Sequence, residues 1–245
     1  MRKDIPYEMK NILITGATSG IGNEVAYYFA KNDSSIFITG RNQDILKKME
    51  AEIDNCLGSY VLDLSQTGSI HGMFDAIKEK QIKFDALIHC AGLEGGLAPV
   101  RIAKIETLDL LMKVHYYSFV ELSKFFYKRD ISNDGASIIG VSSLAALMCQ
   151  KNSIDYSSSK AAMNVAVKVM AKEFLKRGIR VNAILPANVD TPMSKNLKDT
   201  IDIKTIQPMG FIEPEQVVYM IEFLLSEHAK YVTGALMPIS AGMEY

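Results

Sequence analysis

The stretch Asn11-Ile-Leu-Ile-Thr15-Gly16-Ala-Thr-Ser-Gly20-Ile-Gly22 decides the fold, because it carries an apolar strand into a glycine-rich turn and then a helical pattern. Glycines in such a turn let the backbone approach a ligand closely, and the free N–H groups at the helix start suit a pyrophosphate. A Walker A phosphate loop ends in Gly-Lys-Ser/Thr, and this stretch contains no lysine, so that kind of site is excluded. A turn without a ligand remains the alternative.

Short apolar runs alternate with segments of helix length along the whole chain. Strands that are apolar on nearly every residue must be covered on both faces, and strand–helix–strand alternation achieves this with a parallel sheet. No repeat, low-complexity tract or linker interrupts the alternation, so we expect one doubly wound α/β domain over residues 1–245. The predicted strands are 11–15, 35–40, 59–63, 85–90, 136–142, 179–185 and 235–239.

The least regular part of the chain is residues 186–214. This segment follows the sixth predicted strand, where an open parallel sheet places its ligand loops. We therefore expect a substrate lid at about residues 187–213.

Composition and charge exclude several classes of protein. The 245 residues are 48% apolar, with 27 Lys+Arg against 28 Asp+Glu and a formal net charge of −1. A near-zero balance without blocks of like charge argues against nucleic acid or an anionic membrane surface as the main partner. The longest uncharged stretch, residues 135–150, is too short to span a membrane.

The N-terminal sequence, the cysteines and the histidines indicate where the protein works and what it does not bind. The first ten residues are charged and lack the apolar run of a secretory signal, so we expect a cytoplasmic protein. Cys56, Cys90 and Cys149 are odd in number and widely spaced, which is typical of reduced thiols. The four histidines form no metal-ligand spacing, so no metal site is predicted.

Two strand ends bear on the choice of nucleotide. A dinucleotide site expects an acidic residue after the second strand for the ribose 2′-hydroxyl, or an arginine for a 2′-phosphate. The second predicted strand ends in Thr39-Gly40-Arg41, with an arginine and no acidic residue, which favours NADP and leaves NAD open. The alternative is that Arg41 is a solvated loop cation. Asp63 ends the third strand, where its carboxylate would meet the adenine amino group or instead cap the segment that begins at Ser65.

Tyr156-Ser-Ser-Ser-Lys160 places a phenol and an ammonium on one face of a helix. Tyr27 and Lys31 share that spacing, so spacing alone does not identify a site. The distinguishing feature is the stripe that continues from Tyr156 and Lys160, because a buried lysine needs a reason and a catalytic role supplies one. The apolar members of that stripe are Met163, Val167, Met170 and Phe174.

Ser143 follows the fifth predicted strand, at the carboxyl end where α/β sites lie. A strand-end hydroxyl and a helix-borne tyrosine and lysine can meet there. A free tyrosine has a pKa of about 10, so a nearby ammonium and a cationic nicotinamide would be needed to favour the phenolate. The alternative is that Ser143 is an ordinary strand-end serine.

Taken together, these motifs resemble the short-chain dehydrogenase/reductase family, in its compact single-domain branch with a Rossmann fold. The resemblance spans nearly the whole chain, through Arg180-Val-Asn-Ala-Ile-Leu-Pro186, Thr191-Pro-Met193 and Thr233-Gly234. It implies that Tyr156 is the general acid or base, that Ser143 binds the substrate oxygen, and that Lys160 binds the nicotinamide ribose and lowers the tyrosine pKa. The cofactor residues it implies are Gly16, Thr18, Ser19, Gly20, Ile21, Gly22, Arg41, Asp63, Leu64, Cys90, Ala91, Gly92, Tyr156, Lys160, Pro186, Val189 and Thr191.

The chain departs from the family pattern at three places. Cys90-Ala91-Gly92 stands where the family usually has Asn-Ala-Gly, and Ala187 replaces a glycine. In the predicted helix 110–128, His115 matches the position of a catalytic asparagine that holds a proton-relay water. His115 could carry a proton in its place, the relay could be lost, or the residue could be a satisfied interior histidine.

The resemblance implies an NADP-dependent oxidoreductase that interconverts a ketone and a secondary alcohol, with a 3-oxoacyl thioester as one candidate substrate. Sugar, polyol and hydroxysteroid dehydrogenases remain alternatives, as does a weakly catalytic nucleotide-binding sensor or scaffold, for which Cys90 and His115 are the supporting features. Relatives are usually homodimers or homotetramers. A basic group could dock a carrier protein, or could be solvated helix ends favoured by the helix dipole; its members are Lys128, Arg129, Lys176 and Arg177.

Overall fold

The computed structural model describes residues 11–245, without the side chains of Asn196, Lys198 and Asp199. The N-terminal decapeptide, on which the expectation about a secretory signal rests, lies outside the described residues. Within residues 11–245, no helix is long and apolar enough to cross a membrane.

Seven strands form one sheet in which every neighbouring pair is parallel. The strands are β1 (Asn11–Thr15), β2 (Ser35–Gly40), β3 (Cys56–Val61), β4 (Phe84–His89), β5 (Ser132–Val141), β6 (Arg180–Pro186) and β7 (Leu236–Ile239). Their order is β3-β2-β1-β4-β5-β6-β7. The predicted doubly wound Rossmann sheet is confirmed, and its order reverses direction between β1 and β4, where such folds leave a ligand crevice.

Helices cover both faces of this sheet. Because the strands are apolar on both sides, alternate residues build two cores: Leu13 and Phe37 belong to one, and Ile12 and Ile36 to the other. The helices are α1 (Gly20–Lys31), α2 (Gln43–Glu52), α3 (Ile70–Glu79), α4 (Ile105–Leu111), α5 (Ser118–Phe126), α6 (Ala145–Met148), α7 (Ile154–Glu173), α8 (Lys195–Thr200) and α9 (Pro214–Leu225), with one π-helical turn (Met112–Tyr117) between α4 and α5.

Three predicted elements differ from those observed by more than one residue. Strand β3 runs over Cys56–Val61 rather than 59–63, so Asp63 lies two residues beyond its end. Strand β5 begins at Ser132 rather than residue 136, because Ser132 pairs with Phe84 before the register shifts; residues 133–135 are exposed and polar or glycine, so no apolar run marks them. The predicted helix 110–128 is interrupted by the π-helical turn. Single π-helical turns inside α-helices occur frequently at functional sites.

The basic group of four residues lies at the amino ends of β5 and β6, opposite the carboxyl ends where the ligand crevice opens. Strand β5 alone separates the two edges by about 30 Å. Arg177 is buried and donates to the Ser132 carbonyl and to Asp134, each at 2.7 Å, and Arg129 pairs with Asp134 at 3.0 Å. Arg177 is therefore a structural residue, and this group is not placed to present a carrier protein to the crevice.

Candidate active site

The turn between β1 and α1 has the geometry of a phosphate-binding turn. Gly16 and Gly20 have φ values of +71° and +53°, which side chains rarely adopt. A Cβ on Gly22 would lie 2.2 Å from the Gly16 carbonyl oxygen, so only glycine lets α1 start this close to the strand. Ser19 is the N-cap residue, yet its side chain makes no capping hydrogen bond, which leaves the first-turn N–H groups to a ligand.

A first cavity opens above this turn and contains most of the predicted nucleotide residues. Gly22 is the exception within the turn, because it is buried beneath it and packs on Gly16 rather than lining the space. Predicted residues that line the cavity are Gly16, Thr18, Ser19, Gly20, Ile21, Arg41, Asp63, Leu64, Cys90, Ala91, Gly92 and Thr191.

Arg41 and Asp63 lie on the rim of the first cavity, and both are exposed. The Asp63 carboxylate accepts a hydrogen bond from the Ser65 N–H at 2.9 Å. That bond, with a smaller contribution from the charge of Arg41, holds the pKa of Asp63 below its usual value. The geometry of Asp63 therefore agrees with both predicted roles. Its carboxylate caps the segment that begins at Ser65, and the residue also lines the cavity, where it could meet an adenine amino group.

A second cavity, of about 330 Å³, continues from the first. The two share Ile21, Cys90, Gly92, Thr191 and Met193, so they form one continuous cleft. The remaining predicted residues line the second cavity; they are Ser143, Tyr156, Lys160, Pro186 and Val189.

Ser143 and Tyr156 meet in this second cavity. The Ser143 hydroxyl hydrogen-bonds the Tyr156 phenol, which lowers the tyrosine pKa, but desolvation outweighs this effect and the pKa lies above its usual value. Ser143 Oγ also accepts from the Ala145 N–H at 3.2 Å, which fixes its orientation. The cleft therefore holds an oriented hydroxyl against a phenol that is protonated at neutral pH.

Lys160 lies one helical turn from Tyr156 and is 4% exposed. Its Nζ donates to the Val141 carbonyl at 2.9 Å and lies 5.9 Å from the centroid of the Tyr156 ring. Desolvation lowers its pKa to about 8, so the amine is mostly charged at pH 7. The inward stripe along α7 is confirmed, because Met163 and Val167 are also buried.

Two buried histidines stand behind the cleft. His115 Nε2 accepts from the Leu93 N–H at 3.0 Å, and desolvation with the charge of Lys160 lowers the His115 pKa to about 2. His89 Nδ1 lies 2.8 Å from Thr15 Oγ1, and the same two causes lower the His89 pKa to about 3. Both imidazoles are neutral. No motif in the sequence indicated that His89 would be part of this environment.

The predicted lid segment covers the second cavity through Ala187, Met193 and Leu197. Its base is closed by Gln207, which is fully buried and which the sequence did not single out. Gln207 Oε1 accepts from the backbone and side-chain amides of Asn188 at 2.9 and 3.1 Å, and its Nε2 donates to the carbonyls of Asn188 and Gly210 at 3.0 and 2.6 Å.

Several cavity residues were missed from the sequence. Thr39 and Gly40 directly precede Arg41 and line the first cavity. They could have been predicted as site residues, because ligands of α/β folds bind at the carboxyl ends of the strands. Val114 had no such signal, because its position depends on the π-helical turn.

Comparisons with known proteins agree with this geometry. A family model described as enoyl-(acyl carrier protein) reductase matches residues 16–244. The 3-oxoacyl-(acyl-carrier-protein) reductase FabG of Thermotoga maritima is 31% identical over 242 residues, covering 96% of this chain and 98% of that protein.

Solved structures show the same fold. 4-Hydroxyisoleucine dehydrogenase complexed with NADH has a TM-score of 0.88 and 28% identity, covering 95% of this chain and 98% of its own. ElxO with NADP bound has a TM-score of 0.85 and 27% identity, covering 96% and 98%. Since the family model and the T. maritima reductase both extend along nearly the whole chain, the protein belongs to the short-chain dehydrogenase/reductase family of oxidoreductases.

Proposed function

We propose that the protein interconverts an apolar ketone and its secondary alcohol with NADP as cofactor, and that a 3-oxoacyl thioester is one candidate substrate. The observation that carries this proposal is the continuous cleft, in which the glycine-rich turn opens directly onto Ser143, Tyr156 and Lys160. Whole-length similarity to a 3-oxoacyl-(acyl-carrier-protein) reductase supports the candidate substrate.

The residues around the first cavity fit a dinucleotide. The uncapped start of α1 suits the pyrophosphate, Arg41 suits a 2′-phosphate, and Asp63 faces the adenine side. Lys160 would bind the nicotinamide ribose, and Val189 and Thr191 would hold the carboxamide. The other residues assigned to the cofactor are Gly16, Thr18, Ser19, Gly20, Ile21, Leu64, Cys90, Ala91, Gly92 and Pro186, with Gly22 packing the turn.

Three side chains would act on the carbonyl group. NADPH, when bound in the first cavity, would supply the hydride. Tyr156, which is protonated in the cleft, would give its proton to the carbonyl oxygen and accept it in the reverse direction. Ser143 donates a hydrogen bond to the same oxygen and orients it. The charge of Lys160 stabilises the phenolate that remains after proton transfer.

The wall of the second cavity indicates an apolar substrate. A sugar or polyol would need several free polar partners for its hydroxyl groups. Several polar side chains of this wall are instead bonded within the protein: Ser153 donates to the Gln150 carbonyl, Asn188 to Gln207 and Ser194 to the Thr191 carbonyl. Its apolar side chains are Leu97, Leu144, Met148, Met193, Leu197, Ile206 and Met243.

The sensor alternative has little physical support. Burial raises the pKa of the Cys90 thiol to about 12, and the reactive form of cysteine is the thiolate. Both ring nitrogens of His115 are hydrogen-bonded, so it offers no free group for a sensing role.

We also propose that the chain forms one nucleotide-binding domain with residues 187–213 as its lid, and that it is a homodimer or homotetramer. Val165 and Val169 are exposed apolar residues on one face of α7. Leu110 and Tyr117 are also exposed, on α4 and on the π-helical turn, which both contact α7. A cytoplasmic location fits the free thiols found in the described part of the chain. Light scattering on the purified protein would test the assembly.

Tyr156→Phe tests the chemistry. With NADPH and a panel of 3-oxoesters, thioesters, cyclic ketones and sugars, the variant should lose about 100- to 10,000-fold in turnover while its NADPH dissociation constant stays within about twofold. Tyr27→Phe is the matched control, because Tyr27 has the same spacing to a lysine but bonds Glu52 away from the cleft. Turnover that survives Tyr156→Phe, or wild-type protein that reduces nothing in the panel, would contradict the proposal.

A further inference from the structure

The loop that follows β4 is fastened at two points beside the proposed catalytic tyrosine. At one, the Leu93 N–H donates to His115 Nε2 at 3.0 Å. At the other, the Gly96 N–H donates to Asp155 Oδ2 at 3.2 Å. Since both partners are buried, the loop between these points is held in place rather than free in solvent.

The fastened loop is pressed against Tyr156. A Cβ on Gly95 would lie 2.6 Å from Tyr156 Cβ and 3.1 Å from Asp155 Oδ1, so only glycine fits there. Glu94 lies between the two fastened points and lines the second cavity. Its position relative to the phenol is therefore set by the loop.

Glu94 is the exposed charge on the wall of the second cavity. Among the described residues that line the second cavity, only Glu94 and Lys160 carry a formal charge, and Lys160 is buried and bonded to the Val141 carbonyl. The Glu94 carboxylate also acts on the phenol, since its charge contributes to raising the pKa of Tyr156. A substrate at Tyr156 therefore experiences a negative charge from this side.

We propose that Glu94 determines specificity by charge, so that the cavity accepts neutral carbonyl compounds such as ketones, esters and thioesters and disfavours carbonyl compounds that carry a carboxylate beside the reacting group. This inference rests on the proposed function and names its substrate class more closely. Because Glu94 is exposed, the repulsion is partly screened by water and salt. We expect it to change relative rates about three- to tenfold.

The test compares two substrates that differ mainly in charge, ethyl acetoacetate and acetoacetate, with NADPH and intact protein. Wild-type protein should have the higher kcat/KM with the ester. Glu94→Gln should raise the acetoacetate-to-ester ratio of kcat/KM about three- to tenfold, mainly through KM for acetoacetate. The wild-type preference should also shrink as sodium chloride is raised. Glu106→Gln, which removes an exposed carboxylate outside the cavity, should leave the ratio unchanged.

The outcomes separate the two proposals. If both compounds are reduced but Glu94→Gln does not change their ratio, or changes it equally at all salt concentrations, the role of Glu94 is wrong and the proposed reductase function stands. Wild-type protein that prefers acetoacetate also overturns it. If wild-type protein reduces neither these compounds nor any other carbonyl compound, the proposed function is wrong. The proposed role of Glu94 in specificity is then wrong as well.

Discussion

His115 Nδ1 lies 2.9 Å from Ser159 Oγ, and this contact fixes the protonation of the imidazole. Ser159 has one hydroxyl proton, which it donates to the Tyr156 carbonyl at 2.8 Å, so it must accept from His115. His115 Nε2 accepts from the Leu93 N–H, so it carries no proton. The residue is therefore neutral, with its proton on Nδ1.

This arrangement decides between the interpretations that the sequence left open for His115. A proton carrier needs a ring nitrogen that can gain and lose a proton. Nε2 cannot gain one in this structure, because the added N–H would point at the Leu93 N–H, which is itself a donor. The interior interpretation agrees with the structure. His115 joins the loop after β4 to the helix that bears Tyr156 and Lys160, and so acts as a positioning residue.

The neutral state of His115 predicts a loss of stability in acid. Its folded pKa of about 2 lies below the ordinary value of 6.5, so the unfolded chain binds the extra proton first as the pH falls below about 6.5. Between pH 8 and pH 5 this should cost about 2 kcal/mol of the free energy of unfolding. His115→Asn should reduce the loss by that amount, measured by urea unfolding at both pH values.

Ser159→Ala is the matched control for that measurement. It removes a hydrogen-bond partner but keeps the imidazole buried, so stability should fall at both pH values while the acid dependence stays. If His115→Asn and wild type lose the same free energy between pH 8 and pH 5, the buried imidazole is not the source.

Arg41 should decide the choice of nucleotide. Loss of a charge-assisted contact to the 2′-phosphate should weaken NADPH binding about ten- to a hundredfold in Arg41→Ala and NADH binding less than about twofold. Fluorescence titration of both nucleotides measures this, with Lys47→Ala as the control because Lys47 is an exposed cation of α2 outside the cavity. Equal weakening for the two nucleotides would contradict the assignment.

The parts of the site that depend on local pattern were predictable from the sequence. The glycine turn, Arg41 at a strand end, and the face shared by Tyr156 and Lys160 follow from strand alternation and helical spacing. Each needs only neighbours in sequence. The strand interiors were predictable for the same reason.

The parts that depend on distant partners were not. The state of His115 is set by Leu93 and Ser159, which lie 22 and 44 residues away, and the buried position of Gln207 is set by Asn188. The polar start of β5 follows from pairing with Phe84. A single sequence contains these residues but does not show which of them meet.

Gly22 should be intolerant of a side chain. In Gly22→Ala the new Cβ would meet the Gly16 carbonyl oxygen at 2.2 Å, so α1 must move away from the turn. We expect a loss of about 1–3 kcal/mol in the free energy of unfolding, together with weaker NADPH binding. Gly68→Ala is the control, because nothing lies within 4 Å of its Cβ position. Comparable melting temperatures for the two variants would show that the close packing is unimportant.

Gln207 should affect the binding of the carbonyl substrate more than the binding of the nucleotide. Its amide closes the base of the lid on Asn188, which lines the second cavity but not the first. Gln207→Ala leaves the Asn188 N–H and the Gly210 carbonyl without their partner, so the lid should lose its fixed position.

We therefore expect Gln207→Ala to raise KM for a reducible ketone about three- to thirtyfold. The NADPH dissociation constant should rise less, because Thr191 is the lid residue assigned to the cofactor that lines the first cavity. Gln207→Glu separates the two halves of the amide, because it keeps the acceptor for the Asn188 amides and loses the donor to the carbonyls of Asn188 and Gly210. If its KM matches that of Gln207→Ala, the donor side holds the lid; if its KM matches wild type, the acceptor side does. A loss of NADPH affinity equal to the rise in KM would mean that Gln207 supports the whole cleft rather than the lid.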